Sequence, residues 1–571
     1  MQELIEGYRL SPQQEQLWQW QTDASDFRLQ CAVSIKGAVR LELLAEAWKQ
    51  VLRRHEILRT AFRGLAGMDL PLQVIVDDVQ SAFDVKDVSG DLQAELEQQW
   101  ETPFDLEHGQ VVHARVLRRS SGEHVMILTL SALCGDEQSL QNLAAELMHC
   151  YSGRCLEDDA VQYVQFSEWQ RELLDSEEAS EAAAYWRSVR DAGTEPVRLP
   201  QELKQDEAFQ RATIERVEVK ISSEQKRKLE SVARSCDVNL SQVLLGGWAS
   251  LLMRISGHNE VRIECAFDGR KFEEMRGGIG TYTKWLPVLV QYDARTTFRQ
   301  ELLRIKQSQH SAWMWQEYYA ADQERGIGFE YLETGRGSEA AGVRFELGAV
   351  RSWTAPLKLK LSCVDEGETV RLQVSYDTNS YNASGMERLL ASLTTLLESL
   401  SESGGERVGR LPVLSARERE QVVKEWNETQ AEVRSGELSV AGQFEAQVAR
   451  TPAAVALVSD TETVTFAELN ERANQVAHYL RGLGVGPETL VGLCLERSVA
   501  QLVGLLGIMK AGGAYVPLEP GNPAARLQYE LQDAGVRVLL TDEATAQRGL
   551  WSELDLTVVL VDEISGAQGL G

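Results

Sequence analysis

The chain lacks any uninterrupted apolar run long enough to span a bilayer, which excludes a transmembrane helix. It opens Met1-Gln-Glu-Leu-Ile-Glu-Gly-Tyr8, without the basic stretch and apolar core of a secretory signal. Base is short relative to acid: 58 Lys and Arg against 86 Asp and Glu, a formal net charge of −28. That balance argues against general nucleic-acid binding, which depends on neutralising phosphates with Lys and Arg. Cysteine is sparse, with eight in the chain. No His or Cys cluster accompanies the nearest pair, Cys150 and Cys155. Neither a zinc site nor a disulfide framework is expected, and free thiols fit a reducing cytoplasm. No internal repeat is visible either. What remains is a globular composition, 43% hydrophobic and 25% charged, in a chain of 571 residues. At roughly 100–200 residues per domain it should hold more than one.

One stretch organises the rest: residues 129–140, T-L-S-A-L-C-G-D-E-Q-S-L. The apolar run Val125-Met-Ile-Leu128 before it fits a buried strand. After Asp136, the residues Leu140, Leu143, Ala144 and Leu147 recur at helical spacing. The stretch is thus a strand-to-helix loop with an acid near the helix start. Rigid elements that carry such a loop are a common seat for acyl-transfer chemistry.

Around it, Ser11 followed by Pro12 marks a helix start. Residues 39–60 read as an amphipathic helix, with His55 in line with the apolar stripe and given a packing role. Residues 27–35, 72–76, 111–116, 212–221, 260–266, 285–291, 326–331, 358–363 and 370–376 read as strands. Helices are expected over 237–255, 298–315 and 384–401. Gly246 and Gly247 inside the first of these cost about 1 kcal/mol each, which implies close backbone packing in a core. Residues 193–205 read as a connection between two lobes, and the Gly-rich 401–405 as a linker. From Ser439 onward strands and helices alternate, the mark of a mostly parallel sheet with covered faces. The expected divisions are 1–192, 193–402, a connection over 403–438, and 439–571.

Taken together these stretches resemble the condensation domain of nonribosomal peptide synthetases, followed by the front of an adenylation domain. Residues 10–18 are similar to the family's S-x-x-Q-x-x-L-W opening. Residues 54–62, R-H-E-I-L-R-T-A-F, match the second motif nearly letter for letter. Residues 163–169 resemble Y-x-D-Y-A-x-W. Asp268-Gly-Arg270, with Ile279-Gly280 through Leu286-Pro287, resembles the motif that ends I-G-x-F-V-N-T-x-P, with Lys284 at its asparagine. Residues 464–470 and 509–517 look like the first two adenylation motifs. The resemblance implies an α/β fold: two chloramphenicol-acetyltransferase-like lobes in a V, then an incomplete adenylate-forming subdomain. It implies upstream and downstream carrier proteins and the rest of the synthetase as partners. Their phosphopantetheine arms would come from outside this chain. ATP and magnesium would be used only by a complete adenylation domain. The phosphate loop, ribose-binding aspartate and late lysine are not among these residues, so no adenylation is expected of this stretch.

Under the resemblance, the chemistry belongs to H-H-x-x-x-D-G. Its histidine positions fall on Ser131 and Ala132, and its glycine on Glu137. An imidazole near neutral pKa suits a general base for an attacking amine, and alanine cannot replace it. Ser131, Ala132 and Asp136 are the candidate catalytic positions. Asp136 is expected to be largely structural, paired with Arg54 or Arg59, and Asp268 and Arg270 join the supporting set. Cys134, Lys284 and Trp285 are candidates to line a tunnel, with Cys134 read as a packed thiol. The loop resembles certain atypical condensation domains at early or modified-amino-acid steps. Three functions stay open: an atypical condensation-type enzyme on carrier-tethered thioesters, a carrier-docking module without chemistry, and a coenzyme A-dependent acyltransferase.

Overall fold

The computed structural model describes residues 6–21, 27–65, 67–77, 83–88, 91–120, 123–154, 160–177, 179–191, 197–203, 213–293, 295–319, 326–334, 338–400, 405–430, 439–551 and 553–566. The chain forms two compact units, Met1–Asn427 and Glu428–Gly571. No helix among the described residues is long and apolar enough to cross a membrane.

The first unit begins with α1 (Pro12–Trp20), β1 (Arg28–Gly37), α2 (Leu41–Arg54), β2 (Thr60–Arg63), β3 (Leu72–Ile75), β4 (Phe83–Asp87), α3 (Leu92–Trp100), β5 (Val112–Ser120), β6 (Glu123–Ser131), α4 (Glu137–Tyr151), α5 (Tyr163–Leu174) and α6 (Ala179–Asp191). It continues through β7 (Ile214–Ile221), α7 (Ser223–Cys236), α8 (Leu240–Ser256), β8 (Glu260–Phe267), β9 (Lys284–Gln291), α9 (Phe298–Met314), β10 (Gly326–Glu333), β11 (Ser338–Ala340), β12 (Val343–Trp353), β13 (Leu357–Asp365), β14 (Val370–Asp377), α10 (Ala383–Leu400) and α11 (Ala416–Val423). Two mixed sheets result among the described residues. One has the order β11-β12-β1-β6-β5-β4, the other β7-β14-β13-β10-β8-β9. The first sheet therefore takes β11 and β12 from the second half of the unit. A lobe boundary near residue 192 does not hold for residues 338–353, because β12 pairs along β1 from Arg28↔Trp353 to Gly37↔Val343. This return of the chain ties the two lobes together.

Local chemistry explains the element ends. Ser11 caps α1 by accepting from Gln14 N, and Gln14 answers through its side chain. The helix expected over 237–255 starts later, at Leu240. Asp237 is left-handed (φ 57°) and closes α7, and Asn239 then caps α8. A Cβ on Gly246 would stand 2.7 Å from Leu302, and one on Gly247 2.7 Å from Leu397. Both glycines let α9 and α10 approach the backbone of α8.

The second sheet has one apolar face and one polar face, and the polar face is buried along its middle strands. Leu359, Leu361 and Cys363 of β13 enter the core with α8 and α10. Lys360 and Ser362 alternate with them, so they point the other way. Even so they are buried, as are Glu330, Gln373 and Ser375. Residues 405–427 belong to this unit, because Val408 and Leu411 lie in the same core and Arg254 Nη1 donates to both their carbonyls, at 3.2 and 2.6 Å. The connection expected to start at 403 thus starts later. The lobe connection at 193–196 and 204–205, and residues 401–404 and 431–438, lie outside the described residues.

The second unit runs α12 (Val440–Arg450), β15 (Val455–Val458), β16 (Thr463–Thr465), α13 (Phe466–Gly482), β17 (Leu490–Cys494), α14 (Val499–Ala511), β18 (Ala514–Leu518), α15 (Ala524–Asp533), β19 (Val538–Thr541), α16 (Glu543–Ala546), β20 (Thr557–Leu560) and α17 (Val561–Gly566). Strands β18-β17-β19-β20 are all parallel, as strand–helix alternation requires. The motif lysine, Lys510, is spent internally: its Nζ donates to Glu445, Asn470 and Asn474 at 2.5, 2.7 and 2.8 Å.

Candidate active site

The loop between β6 and α4 is a tight turn whose backbone is committed. Ser131 sits opposite Arg28 of β1. Ser131 N donates to Val111 O, Ala132 N to Phe27 O and Cys134 N to Ser131 O, at 2.9, 3.1 and 2.9 Å. Gly135 is required by close approach, since a Cβ there would fall 2.3 Å from Leu130. Ala132 and Cys134 have no exposed surface, and burial pushes the Cys134 thiol well above its ordinary pKa. Cys134 is therefore a packed thiol, not a thiolate nucleophile. Ser131 Oγ faces its own turn, accepting weakly from Leu133 N at 3.4 Å.

Asp136 ends the turn and caps α4, accepting from Ser139 N at 2.8 Å with Ser139 Oγ 2.7 Å away. Its partner is Arg270. Nη2 donates to Oδ1 at 2.8 Å and Nη1 to Oδ2 at 2.9 Å, a two-pronged pair with both side chains buried. Tyr282 N, Thr283 N and Thr283 Oγ1 add donors to Oδ2 at 3.1, 2.9 and 3.0 Å. Burial alone would raise this carboxyl. The Arg270 charge, with the hydrogen bonds from Arg270 and Ser139, outweighs burial and holds its pKa below the usual range. Arg270 is held in turn by the Gly278 carbonyl (3.1 and 3.0 Å), by Asp268 Oδ1 (3.0 Å), and over the Tyr282 ring at 4.5 Å.

This corrects the expected pairing of Asp136 with Arg54 or Arg59. Arg54 is 3.7 Å from Glu146, on the far end of α4, where His55 Nε2 also bonds at 2.6 Å. Arg59 donates to the Val76 carbonyl at 3.1 Å and lies near Glu56. Arg54 ends α2 and Arg59 follows it, both away from the start of α4. Asp136 also leaves the group of proton-transfer candidates, because both its oxygens are saturated and its charge is compensated. It is a clamp.

The clamp closes the junction of the lobes. Thr281 Oγ1 donates to Ala132 O at 2.6 Å, and Tyr163 OH donates to Thr281 O at 2.9 Å while sharing a 2.7 Å bond with Ser11 Oγ. Gly280 (φ 155°) passes so close to Tyr163 that a Cβ would stand 2.1 Å from the ring. Ala132, at the histidine position, therefore lies at the junction. Lys284 is buried and bonded to Glu317 across from Phe166, so it is committed. Burial lowers its pKa and Glu317 opposes that. Trp285 is buried with its Nε1 lacking a hydrogen-bond partner.

Glu137, the next residue after the clamp, behaves differently. Its carboxyl is buried between the lobes, 3.3 Å from Thr354 Oγ1 and 4.0 Å from Lys360 Nζ. Lys360 is nearer to Glu330, at 2.8 Å, and also donates to Ser352 O and Oγ at 3.1 and 3.0 Å. Two buried carboxyls thus share one ammonium. Burial first, then the Glu330 charge, raises the Glu137 pKa to about 7, against the pull of Lys360 and a hydrogen bond from Ser352. Sequence reasoning noted Glu137 only as an exception at a glycine position, and it missed Lys360, Glu330 and Thr281. The available signal was the alternation of residues 358–363, which put Lys360 on a polar strand face.

The profile of the condensation domain matches residues 5–322, more than half the chain, and that of the AMP-binding enzyme matches 444–568. Among curated proteins the chain is 28% identical to bacitracin synthase 1 of Bacillus licheniformis over 549 residues. That match covers 93% of this chain and 10% of the relative. It is 27% identical to tyrocidine synthase 3 of Brevibacillus parabrevis over 554 residues, covering 94% and 8%. The chain thus spans about a tenth of the length of these relatives. The crystal structure of holo-AB3403, a four-domain nonribosomal peptide synthetase bound to AMP and glycine, has a TM-score of 0.75 at 19% identity. It covers 98% of this chain and 45% of that one. The condensation-domain match supports an acyltransferase-type role in general for the first unit, and the AMP-binding match covers the N-terminal part of an adenylate-forming one. The chain belongs to the condensation domain family of nonribosomal peptide synthetases.

Proposed function

We propose that the first unit acts in nonribosomal peptide assembly as an atypical condensation-type domain on aminoacyl or acyl thioesters tethered to carrier proteins. The observation that carries this reading is the Asp136–Arg270 clamp, which holds the turn bearing Ala132 against Thr281 at the lobe junction. A buried ion pair of this kind is a weak source of net stability and a strong source of fixed geometry. In the reaction, an amine nitrogen attacks the thioester carbon, the C–N bond forms, the C–S bond breaks, and the amine proton passes to the departing thiol. Carrier proteins upstream and downstream supply the phosphopantetheine arms.

The absence of an imidazole at Ala132 favours one other reading, a docking module that binds carriers without chemistry. The two are separated by incubating the chain with its two loaded carrier proteins and weighing the carriers. A carrier-bound peptide made by the natural chain supports the enzyme. Peptide formed only by Ala132→His, with carrier binding equal in both, supports the docking module.

A further inference from the structure

We propose that Glu137 is the proton-transfer residue of this domain, seated between the lobes by Thr354 and balanced by the Lys360–Glu330 pair, and that it takes the amine proton during thioester aminolysis. The proposal rests on the acyltransferase reading above.

Placement is the first argument. Arg28 of β1 lies between Ser131 of β6 and Trp353 of β12 in the sheet register. Ala132 and Thr354 follow those two residues, so they stand at the same end of the sheet, on either side of β1. The Glu137 carboxyl bonds to Thr354 at that end, and the turn of Ala132 meets the second lobe there through Thr281.

Charge is the second argument. Asp136 is neutralised by Arg270. Among the described residues that leaves Glu137 and Glu330 to share Lys360, and Glu330 holds the closer place. A buried site cannot readily hold the surplus negative charge, so one proton is retained there. The groups facing Glu137 from its neighbours are Asp136, Glu330 and Lys360, and these set when that proton leaves.

Open valences are the third argument, and they are independent of the titration. Glu330 Oε2 is buried without a hydrogen-bond partner, and so is Trp285 Nε1. Lys360 joins them, 2.8 Å from Glu330 and 5.7 Å from the Trp285 ring centre. Buried polar atoms are rarely left unsatisfied. An open acceptor and an open donor, on two residues that each adjoin Lys360, suit a ligand that brings an N–H and a carbonyl, as an amine and a thioester do. In the step, ionised Glu137 accepts the proton as the C–N bond forms, then returns it to the thiolate released when the C–S bond breaks.

The test uses the whole chain, acetylglycyl-N-acetylcysteamine thioester as donor and glycinamide as acceptor, and reads free thiol. The natural chain should release thiol faster than buffer, with a rate that rises through neutral pH. Glu137→Gln should lose about a hundredfold or more and flatten that rise, with its melting temperature preserved. Lys360→Met should move the rise to higher pH, since the carboxylate loses its counter-charge. A Glu137→Gln rate and pH profile equal to the natural chain's, or a Lys360→Met rise left in place, overturns the proposal and leaves the acyltransferase reading intact. No acceleration by the natural chain, with this probe or with loaded carriers, overturns that reading and the proposal together.

Discussion

Asp136 and Glu137 are neighbours, both carboxylic acids and both buried, yet their environments drive them apart. Asp136 receives two guanidinium prongs, two backbone amides from 282–283 and two hydroxyls, and it stays ionised. Glu137 receives a long contact from Thr354, a hydrogen bond from Ser352 and a distant share of a lysine, and its pKa climbs toward neutrality. Burial is common to the two, so burial does not decide their state. The number and charge of the donors does. The consequence is a division of labour: one acid holds shape, the other is free to exchange a proton.

The largest effect should come from breaking the saturated pair on one side only. Arg270→Met leaves Asp136 buried without its counter-charge, and urea unfolding should show a loss of about 3–5 kcal/mol. A third buried acid sharpens the comparison. Glu301 accepts from Ser250 Oγ, 3.1 Å from both its oxygens, and burial pushes its pKa up to about 8 against that bond and the Arg304 charge. A raised folded pKa gives stability that is full below the unfolded value and is lost as pH rises through the folded one. Melting temperature should therefore fall by several degrees between pH 6 and pH 9, and Glu301→Gln should remove much of that fall. Thr281→Val takes one donor from the Ala132 carbonyl and should cost about 1–2 kcal/mol in the same urea assay. The smallest effect belongs to an exposed pair of the same chemistry. Lys228 and Glu224 meet at 3.1 Å in water, and Lys228→Met should change stability by about 0.5 kcal/mol or less.

Much of the scaffold was legible because it is local. The strand before residue 131, the turn, and the helix after Asp136 follow from apolar periodicity and one capping acid. The parallel sheet of the second unit follows from strand–helix alternation. What stayed hidden is long-range. Arg270 lies 134 residues from its carboxylate, and nothing in the pattern around Arg54 or Arg59 ranked them below it. Residues 338–353 read as part of the second half, because no local signal says that a strand will cross into the other lobe's sheet. Lys360 and Glu330 alternate with core residues as solvent-facing strand residues do. Alternation tells which face is polar, but not whether that face meets water.

The division of labour between the two adjacent acids is tested most directly by measuring unfolding free energy and thioester turnover per folded molecule on Asp136→Asn and Glu137→Gln together. The account predicts that Asp136→Asn loses about 3 kcal/mol or more of stability, while Glu137→Gln keeps its stability and loses about a hundredfold or more in turnover. Equal turnover in Glu137→Gln and the natural chain, or a stable Asp136→Asn, would contradict it.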